Sequence, residues 1–356
     1  MITTGTTGGP RAVPWYTKLI IDGIPREGRG SPIAVDNPAT EEVIATVRGA
    51  SAEDVDDAVR AARRVFESKD WRDQGTRQRA ISLIADTIEA HADVLASAVV
   101  SEVGTPISLA RALHIEEPVA ILRKFAELTP LDRTTYLGPA SSPPSEAVIR
   151  LLPSGVVGAI AAYNYPILFG AVKSGAAIAA GCTVVLLSSP QTPLSLLLLA
   201  TLLQEAGLPD GVLQVIAGNA DAGLALTTHP GVDKVSFTGS VAVGKQIMNQ
   251  ASWGLKRVAL ELGGKSPSIL LPSADLDALC VQVHSRYLRN AGQGCSSPTR
   301  ILVPEGRYED FIDASRNALA QIKTGDPWDP ESVAGPMISA THRDRVEGFV
   351  RRAIED

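Results

Sequence analysis

The sequence predicts an α/β protein in which a doubly wound, Rossmann-like sheet precedes a smaller αβ region, and three observations carry this. From Val156 onward, short runs rich in Val, Ile and Leu alternate with helical patterns, the rhythm of βαβ units around a parallel sheet. Those runs are near-continuously apolar, as strands covered on both faces must be. The chain has 356 residues, 45% of them hydrophobic and 20% charged, enough to fill more than one core of a soluble fold.

Residues 1–16 are rich in Thr, Gly and Pro without periodicity and are expected to form a flexible arm. Leu19-Ile-Ile and Ile33-Ala-Val flank a Gly/Arg-rich turn and are expected to pair as a hairpin, with Val43-Ile-Ala-Thr-Val as another short strand. Ser51 is a helix N-cap, followed by Val55, Ala58, Val59, Ala62, Val65 and Phe66 at helical spacing. Ile81, Ile84, Ala85 and Ile88 mark a second helix, and a third spans about 107–128. The Ser/Pro-rich stretch 138–145 is expected to close this helical region, leaving Ala147-Val-Ile-Arg-Leu-Leu as a strand apart from its neighbours.

Strands are then expected at 156–161, 183–187, 212–216 and 234–237, with helices at 167–180, 193–206 and 220–228 between them. Gly239 is expected to open a helix reaching about residue 251, and no G-x-G-x-x-G fingerprint is present. The αβ region follows, with strands at 268–271 and 300–303 and helices at 274–288 and 308–322. A last amphipathic helix carries Val346, Phe349, Val350 and Ile354 on one face.

Composition narrows the function. Thirty-three Lys and Arg against 39 Asp and Glu leave a net charge of −6, which disfavours nucleic acid and anionic membrane as partners. Cys182, Cys280 and Cys295 are too few for a disulfide framework, so a cytoplasmic location is expected. The five histidines are scattered without ligand spacing, and no metal site is expected. No secretory signal pattern opens the chain, and the apolar run Leu194–Leu203 is half a membrane span, better suited to a buried helix.

Two stretches carry the chemistry. Asn290-Ala-Gly-Gln-Gly-Cys295 sets one thiol among small residues, where a substrate can reach it, and Leu260-Glu-Leu-Gly-Gly-Lys265 ends an apolar run on a carboxylate. A free thiol is mostly protonated at neutral pH, so a nucleophilic cysteine needs a depressed pKa or a nearby base. A lone cysteine is otherwise a small core hydrophobe, the reading kept for Cys182 and Cys280. A cysteine-protease reading would need a histidine base. His284, within a predicted helix, has no evident orienting partner, and the local sequence has neither protease signature.

Five blocks in order then resemble the NAD(P)-dependent aldehyde dehydrogenase superfamily: Pro153-Ser-Gly-Val-Val-Gly-Ala-Ile-Ala-Ala-Tyr-Asn-Tyr-Pro166, Gly181-Cys-Thr-Val-Val185, Ser236-Phe-Thr-Gly-Ser240, Leu260-Glu-Leu-Gly-Gly-Lys265 and Gly292-Gln-Gly-Cys295. The resemblance implies oxidation of an aldehyde to a carboxylic acid with NAD or NADP. It makes Cys295 the nucleophile, Glu261 the base that activates water, and Asn164 an oxyanion donor beside the Cys295 amide. Lys173 would support the polar network. The cofactor would lie against Ile160, Tyr163, Gly223, Phe237, Gly239, Ser240 and Leu262.

The resemblance also implies a division into an arm (1–16), an NAD(P)-binding domain (17–260) and a catalytic domain (261–356). Residues 138–153 would belong to an oligomerisation flap of a homodimer or homotetramer. Glu261 favours a free acid as product over the alternative, a coenzyme-A-acylating reaction, whose enzymes typically lack a base there.

The sequence departs from the family pattern at Leu187 and Pro190, where a ribose-binding Lys and Glu are usual, and at Tyr163, where Trp is usual. A Glu-x-Phe-Gly-Pro block and a C-terminal strand are also absent. Family chains continue past this point, so either the product is truncated, with exposed apolar surface and no turnover expected, or residues 1–356 are a fragment of a longer chain.

Overall fold

A computed structural model describes residues 3–5, 13–131, 133–141 and 144–356. Its centre is a seven-stranded sheet of β1 (Leu19–Ile21), β2 (Ile24–Arg26), β3 (Val156–Ile160), β4 (Thr183–Ser188), β5 (Leu213–Ala217), β6 (Lys234–Thr238) and β7 (Arg257–Glu261). The spatial order is β7-β6-β3-β4-β5-β1-β2. The five strands from β3 to β7 run parallel, and β1 and β2 add an antiparallel edge.

The order reverses at β3: the chain proceeds outward to β4 and β5, then returns to β6 on the other side. Helices α1 (Pro166–Ala179), α2 (Leu194–Glu205) and α3 (Ala220–Thr228) make the crossovers, and α4 (Val241–Ser252) joins β6 to β7. Every residue of β4 is buried, as is all of β3 except Ile160, which accounts for their unbroken apolar sequence. In a sheet of this kind, ligands bind beyond the carboxyl ends of the strands where the order reverses, here at β3 and β6.

Beyond β7, helices α5 (Leu276–Leu288) and α6 (Tyr308–Ala320) pack on the two-stranded sheet Pro267–Ile269 with Arg300–Leu302. They enclose a small separate core of Leu270, Leu276, Cys280, Phe311, Ala314 and Ala318. Helix α7 (Ala340–Glu355) follows, capped by Ser339. Cys182 is also buried, in the main core, so both cysteines take the small-hydrophobe role. No helix among the described residues is long and apolar enough to cross a membrane.

Three local expectations are corrected. Leu19–Ile21 pairs with Ile24–Arg26, while Pro32–Asn37 pairs with Glu42–Arg48. The signal was Asp22-Gly23, whose φ values of 55° and 68° make the two-residue turn that suits twisted strands. The stretch 138–145 is not a break: Thr134–Ser141 and Pro144–Arg150 form an antiparallel ribbon, so the strand at 147 has a partner. Within the expected arm Val13 and Trp15 are buried, and residues 1–2 and 6–12 lie outside the described residues.

Two helical features had no counterpart in the sequence reading. Ala92–Val103 is a helix buried over nine consecutive residues from Leu95, so it shows no amphipathic period to detect. The third predicted helix contains a π-helical turn, Ala112–Glu116, between Ile107–Arg111 and Glu117–Leu128.

Candidate active site

A cleft of about 820 Å³ runs along the carboxyl edge of the parallel strands, touching Ile160, Ser188, Thr238 and Glu261 at the ends of β3, β4, β6 and β7. Of the residues singled out in the sequence, Asn164, Glu261, Cys295, Ile160, Tyr163, Gly223, Phe237, Gly239, Ser240 and Leu262 all line it. Lys173 does not.

The thiol is presented by an unusual loop. After α5, Asn290, Ala291 and Gly292 all have left-handed backbone, with φ of 53°, 55° and 73°. Glycine and asparagine tolerate this conformation, whereas at Ala291 it costs on the order of 1–2 kcal/mol. Side-chain amides hold the turn. Thr105 Oγ1 donates to Asn290 Oδ1 (2.8 Å), Gln293 Nε2 donates to the Asn290 carbonyl (3.0 Å), and Asn164 Nδ2 donates to the Gln293 carbonyl (2.7 Å). Gln293 Oε1 accepts from the Ile338 amide (3.0 Å) and the Tyr163 hydroxyl (3.3 Å). Cys295 follows, exposed and free. A Cβ on Gly264 would stand 2.7 Å from the Cys295 carbonyl oxygen, so the glycine pair after Glu261 lets the Glu261 and Cys295 stretches touch.

Asn164 is buried where β3 turns into α1, and its amide is directed to the thiol loop rather than capping the helix. Glu261 ends β7 and is exposed, not set in apolar surroundings. Lys173 Nζ donates to Ser236 Oγ on β6 (3.0 Å). Burial lowers the Lys173 pKa to about 8, against the opposing pull of the Glu261 carboxylate. It therefore lies behind the cleft and is electrostatically linked to Glu261.

The other end of the cleft suits a dinucleotide. Ser240 caps α4 by accepting from the Val243 amide (3.3 Å), presenting a helix N-terminus to an anion. The hydroxyls of Ser188 and Thr238 are buried without a protein partner in residues that line the cleft, available to a polar ligand. Gly223 adjoins Leu187, and neither Leu187 nor Pro190 offers a charge there.

His342 and Arg345 of α7 were missed by the sequence reading yet line the same cleft. His342 Nε2 lies 3.4 Å from the Tyr163 hydroxyl, and burial followed by the Arg345 charge lowers its pKa. Neither belongs to a short motif, and only the fold brings α7 over the cleft. Thr105 and Gln293 were missed for a similar reason, because bridging amides and hydroxyls leave no periodicity. His284 is buried with both ring nitrogens unpaired, so it has no orienting partner. Among the described residues, no group of three or more His, Cys, Asp or Glu comes together as a metal site.

A doubly wound sheet with a reachable thiol and a carboxylate at its switch point is an arrangement suited to nucleotide-dependent thiol chemistry. Comparison with known proteins makes this specific: the profile of the Aldehyde dehydrogenase family matches residues 25–356, and the chain belongs to that family. It is 41% identical over 318 residues to geranial dehydrogenase of Castellaniella defragrans, covering 88% of this chain and 66% of that protein. It is 40% identical over 325 residues to an aldehyde dehydrogenase of Alternaria alternata, covering 90% and 65%. The NAD+ complex of aldehyde dehydrogenase from Bacillus cereus superposes with a TM-score of 0.90 at 37% identity, covering 95% of this chain and 70% of that one. Betaine aldehyde dehydrogenase from Staphylococcus aureus, also with NAD+, gives 0.89 at 34% identity, covering 95% and 67%. The chain thus spans about two thirds of the length of these relatives.

Proposed function

We propose that this chain carries the cofactor cleft and nucleophile of an enzyme that oxidises an aldehyde to a carboxylic acid with NAD or NADP. The observation that carries the reading is convergence: Cys295, Asn164 and Glu261, distant in sequence, line one cleft at the sheet's switch point. Cys295 Sγ bonds to the aldehyde carbon, and the oxyanion accepts hydrogen bonds from Asn164 Nδ2 and the Cys295 amide. Donors fixed in advance in this way are worth about 3–4 kcal/mol of barrier. A bound nicotinamide supplies the hydride acceptor that takes the chain's thiol adduct to the acid oxidation level.

Glu261 then removes a proton from water, the hydroxide attacks the thioester carbon, and the Cys295 sulfur departs as thiolate. Exposure of Glu261 suits this step, because water reaches it freely. Lys173, reaching Ser236 with its charge near Glu261, holds the carboxylate's side of the cleft. The cofactor would rest against Ile160, Tyr163, Phe237, Gly239, Ser240 and Leu262, with its adenosine end near Gly223. The NAD+ complexes of the relatives support a nicotinamide dinucleotide as the cofactor.

The two cores support a division into a cofactor domain through residue 260 and a catalytic domain from 261. We place the 138–153 ribbon in the contacts of a homodimer or homotetramer, because it bears exposed apolar side chains such as Val148, Ile149, Leu151 and Leu152. A cytoplasmic location fits three unpaired cysteines. The test is reduced-nicotinamide formation from a panel of aldehydes, with free acid identified as the product. Acyl-coenzyme A as the sole product, formed only when coenzyme A is added, would refute hydrolysis.

A further inference from the structure

The two ends of the cleft differ in charge. The thiol end holds Glu261, His342 and Arg345, and among the described residues that line the cleft Arg345 is the one Lys or Arg. A nicotinamide must lie against the thiol adduct to take its hydride, so the adenosine half of the dinucleotide falls at the opposite end, beyond β4 and β5. Ser189, Pro190, Gln191, Asn219, Asp221 and Leu224 line that end, and among the described residues there Asp221 is the single ionisable side chain.

The first turn of α3 brings Asp221 to this place. Strands β4 and β5 are adjacent and parallel, with Ser188 opposite Ala217 at their carboxyl ends. A Cβ on Gly218 would stand 2.5 Å from Ala222 Cβ and 3.3 Å from Leu187 Cδ1, and one on Gly223 would stand 3.8 Å from Leu187 Cδ2. The start of α3 is thus folded tightly onto the end of β4, with Asp221 between the two glycines. Its carboxylate is exposed and makes no ion pair or hydrogen bond to another described residue. An acid in a first turn also favours the helix dipole, so its effect on a ligand has to be separated from its effect on the helix.

The two nicotinamide dinucleotides differ at the adenosine ribose. NAD+ presents neutral hydroxyls there, which donate to a carboxylate. NADP+ presents a 2′-phosphate of roughly two negative charges, a group that Lys or Arg normally holds. Neither Leu187 nor Pro190 supplies such a cation. The amides that open α3 contribute roughly half a positive charge, which the full negative charge of Asp221 outweighs.

We propose that Asp221 makes the cleft select NAD+ over NADP+, accepting from the adenosine ribose and repelling a 2′-phosphate. This deepens the proposed function and rests on its reading of the cleft as the cofactor site.

The test is calorimetric titration of the native chain and two variants with NAD+ and NADP+, without aldehyde, so that binding alone is read. The native chain should bind NAD+ at least about tenfold more tightly, the size of a doubly charged group set against one screened carboxylate several ångströms away. That preference should shrink at high salt. Asp221→Asn should remove most of it by tightening NADP+, and Asp221→Lys should reverse it. A loosened helix would cost affinity for both nucleotides and improve neither, so the gain in NADP+ affinity is a result that a merely structural role cannot give.

Equal affinities in the native chain, or a ratio unchanged in both variants, overturn the selector while leaving the cleft as the cofactor site. A native chain that binds neither nucleotide overturns the cofactor reading and the selector with it.

Discussion

The two ends of the cleft are built on opposite principles. At the cofactor end, each contact sits at the end of a parallel strand or the start of a helix, so the main core and the sheet ladder fix it. At the thiol end, Cys295 stands after three left-handed residues, beside a core of only six buried side chains, held by the hydroxyl of Thr105 and the side-chain amides of Asn164 and Gln293. The first end is placed by burial and the second by hydrogen bonds. Substitutions at the thiol end should therefore cost activity without costing the fold.

The sharpest test of that contrast is Cys295→Ala. Reduced-nicotinamide formation should fall by about 10⁴-fold or more, as expected when a nucleophile acting with partners is removed, while thermal unfolding stays within a degree or two of the native chain. Asn164→Ala should lower kcat by about 10²–10³-fold through loss of one oxyanion donor. It should also loosen the loop, because its bond to the Gln293 carbonyl goes too. An Asn164→Ala protein with normal kcat but a low melting temperature would reduce this residue to a structural role.

Lys173 tests placement by burial, since it sets a charge against the sheet behind the cleft. Its folded pKa of about 8 lies below the ordinary 10.5, so the folded chain binds fewer protons than the unfolded chain between those values. Stability should therefore rise with pH across about 8–10.5, and the burial penalty is fully present below 8. Lys173→Met should remove that slope in urea unfolding followed by fluorescence. An identical slope in the variant would assign it to another group.

Glu102 provides the reverse sign. It is fully buried, accepts from the Leu194 and Ser195 amides at the start of α2 (2.7 and 3.0 Å), and burial raises its pKa to about 7 from the ordinary 4.5. The folded chain binds more protons there, so this group's contribution falls as pH rises from about 4.5 to 7, and Glu102→Gln should flatten that decline. The smallest effect should come from Ala291→Gly, which relieves the left-handed strain in the thiol loop for a gain of at most about 1 kcal/mol.

The same contrast explains what was legible in the sequence. The parallel strands were readable because double-sided burial forces unbroken apolar runs, and expected and observed bounds differ by a residue or so, as at Thr183–Ser188. Ten of the eleven residues singled out in the sequence line one cleft, and their blocks carry glycines and small residues that the backbone requires there, Gly264 against the Cys295 carbonyl among them. Arg345 and His342 were not legible, since a helix face becomes a cleft wall only through tertiary packing. The hairpin was misassigned because equal apolar patterns outweighed the turn chemistry of Asp22-Gly23, which decided the pairing. The solvent exposure of Glu261 was not legible either: an apolar strand before it says nothing about solvent at its end.

The most direct test of the account is a rapid-mixing measurement on Glu261→Gln with an aldehyde that the native chain oxidises and excess NAD+, followed by intact mass of the quenched protein. The account predicts a burst of one reduced nicotinamide per chain, an acyl mass increase that maps to Cys295, and little steady turnover afterwards. Steady turnover equal to the native rate, or an adduct on a residue other than Cys295, would contradict it.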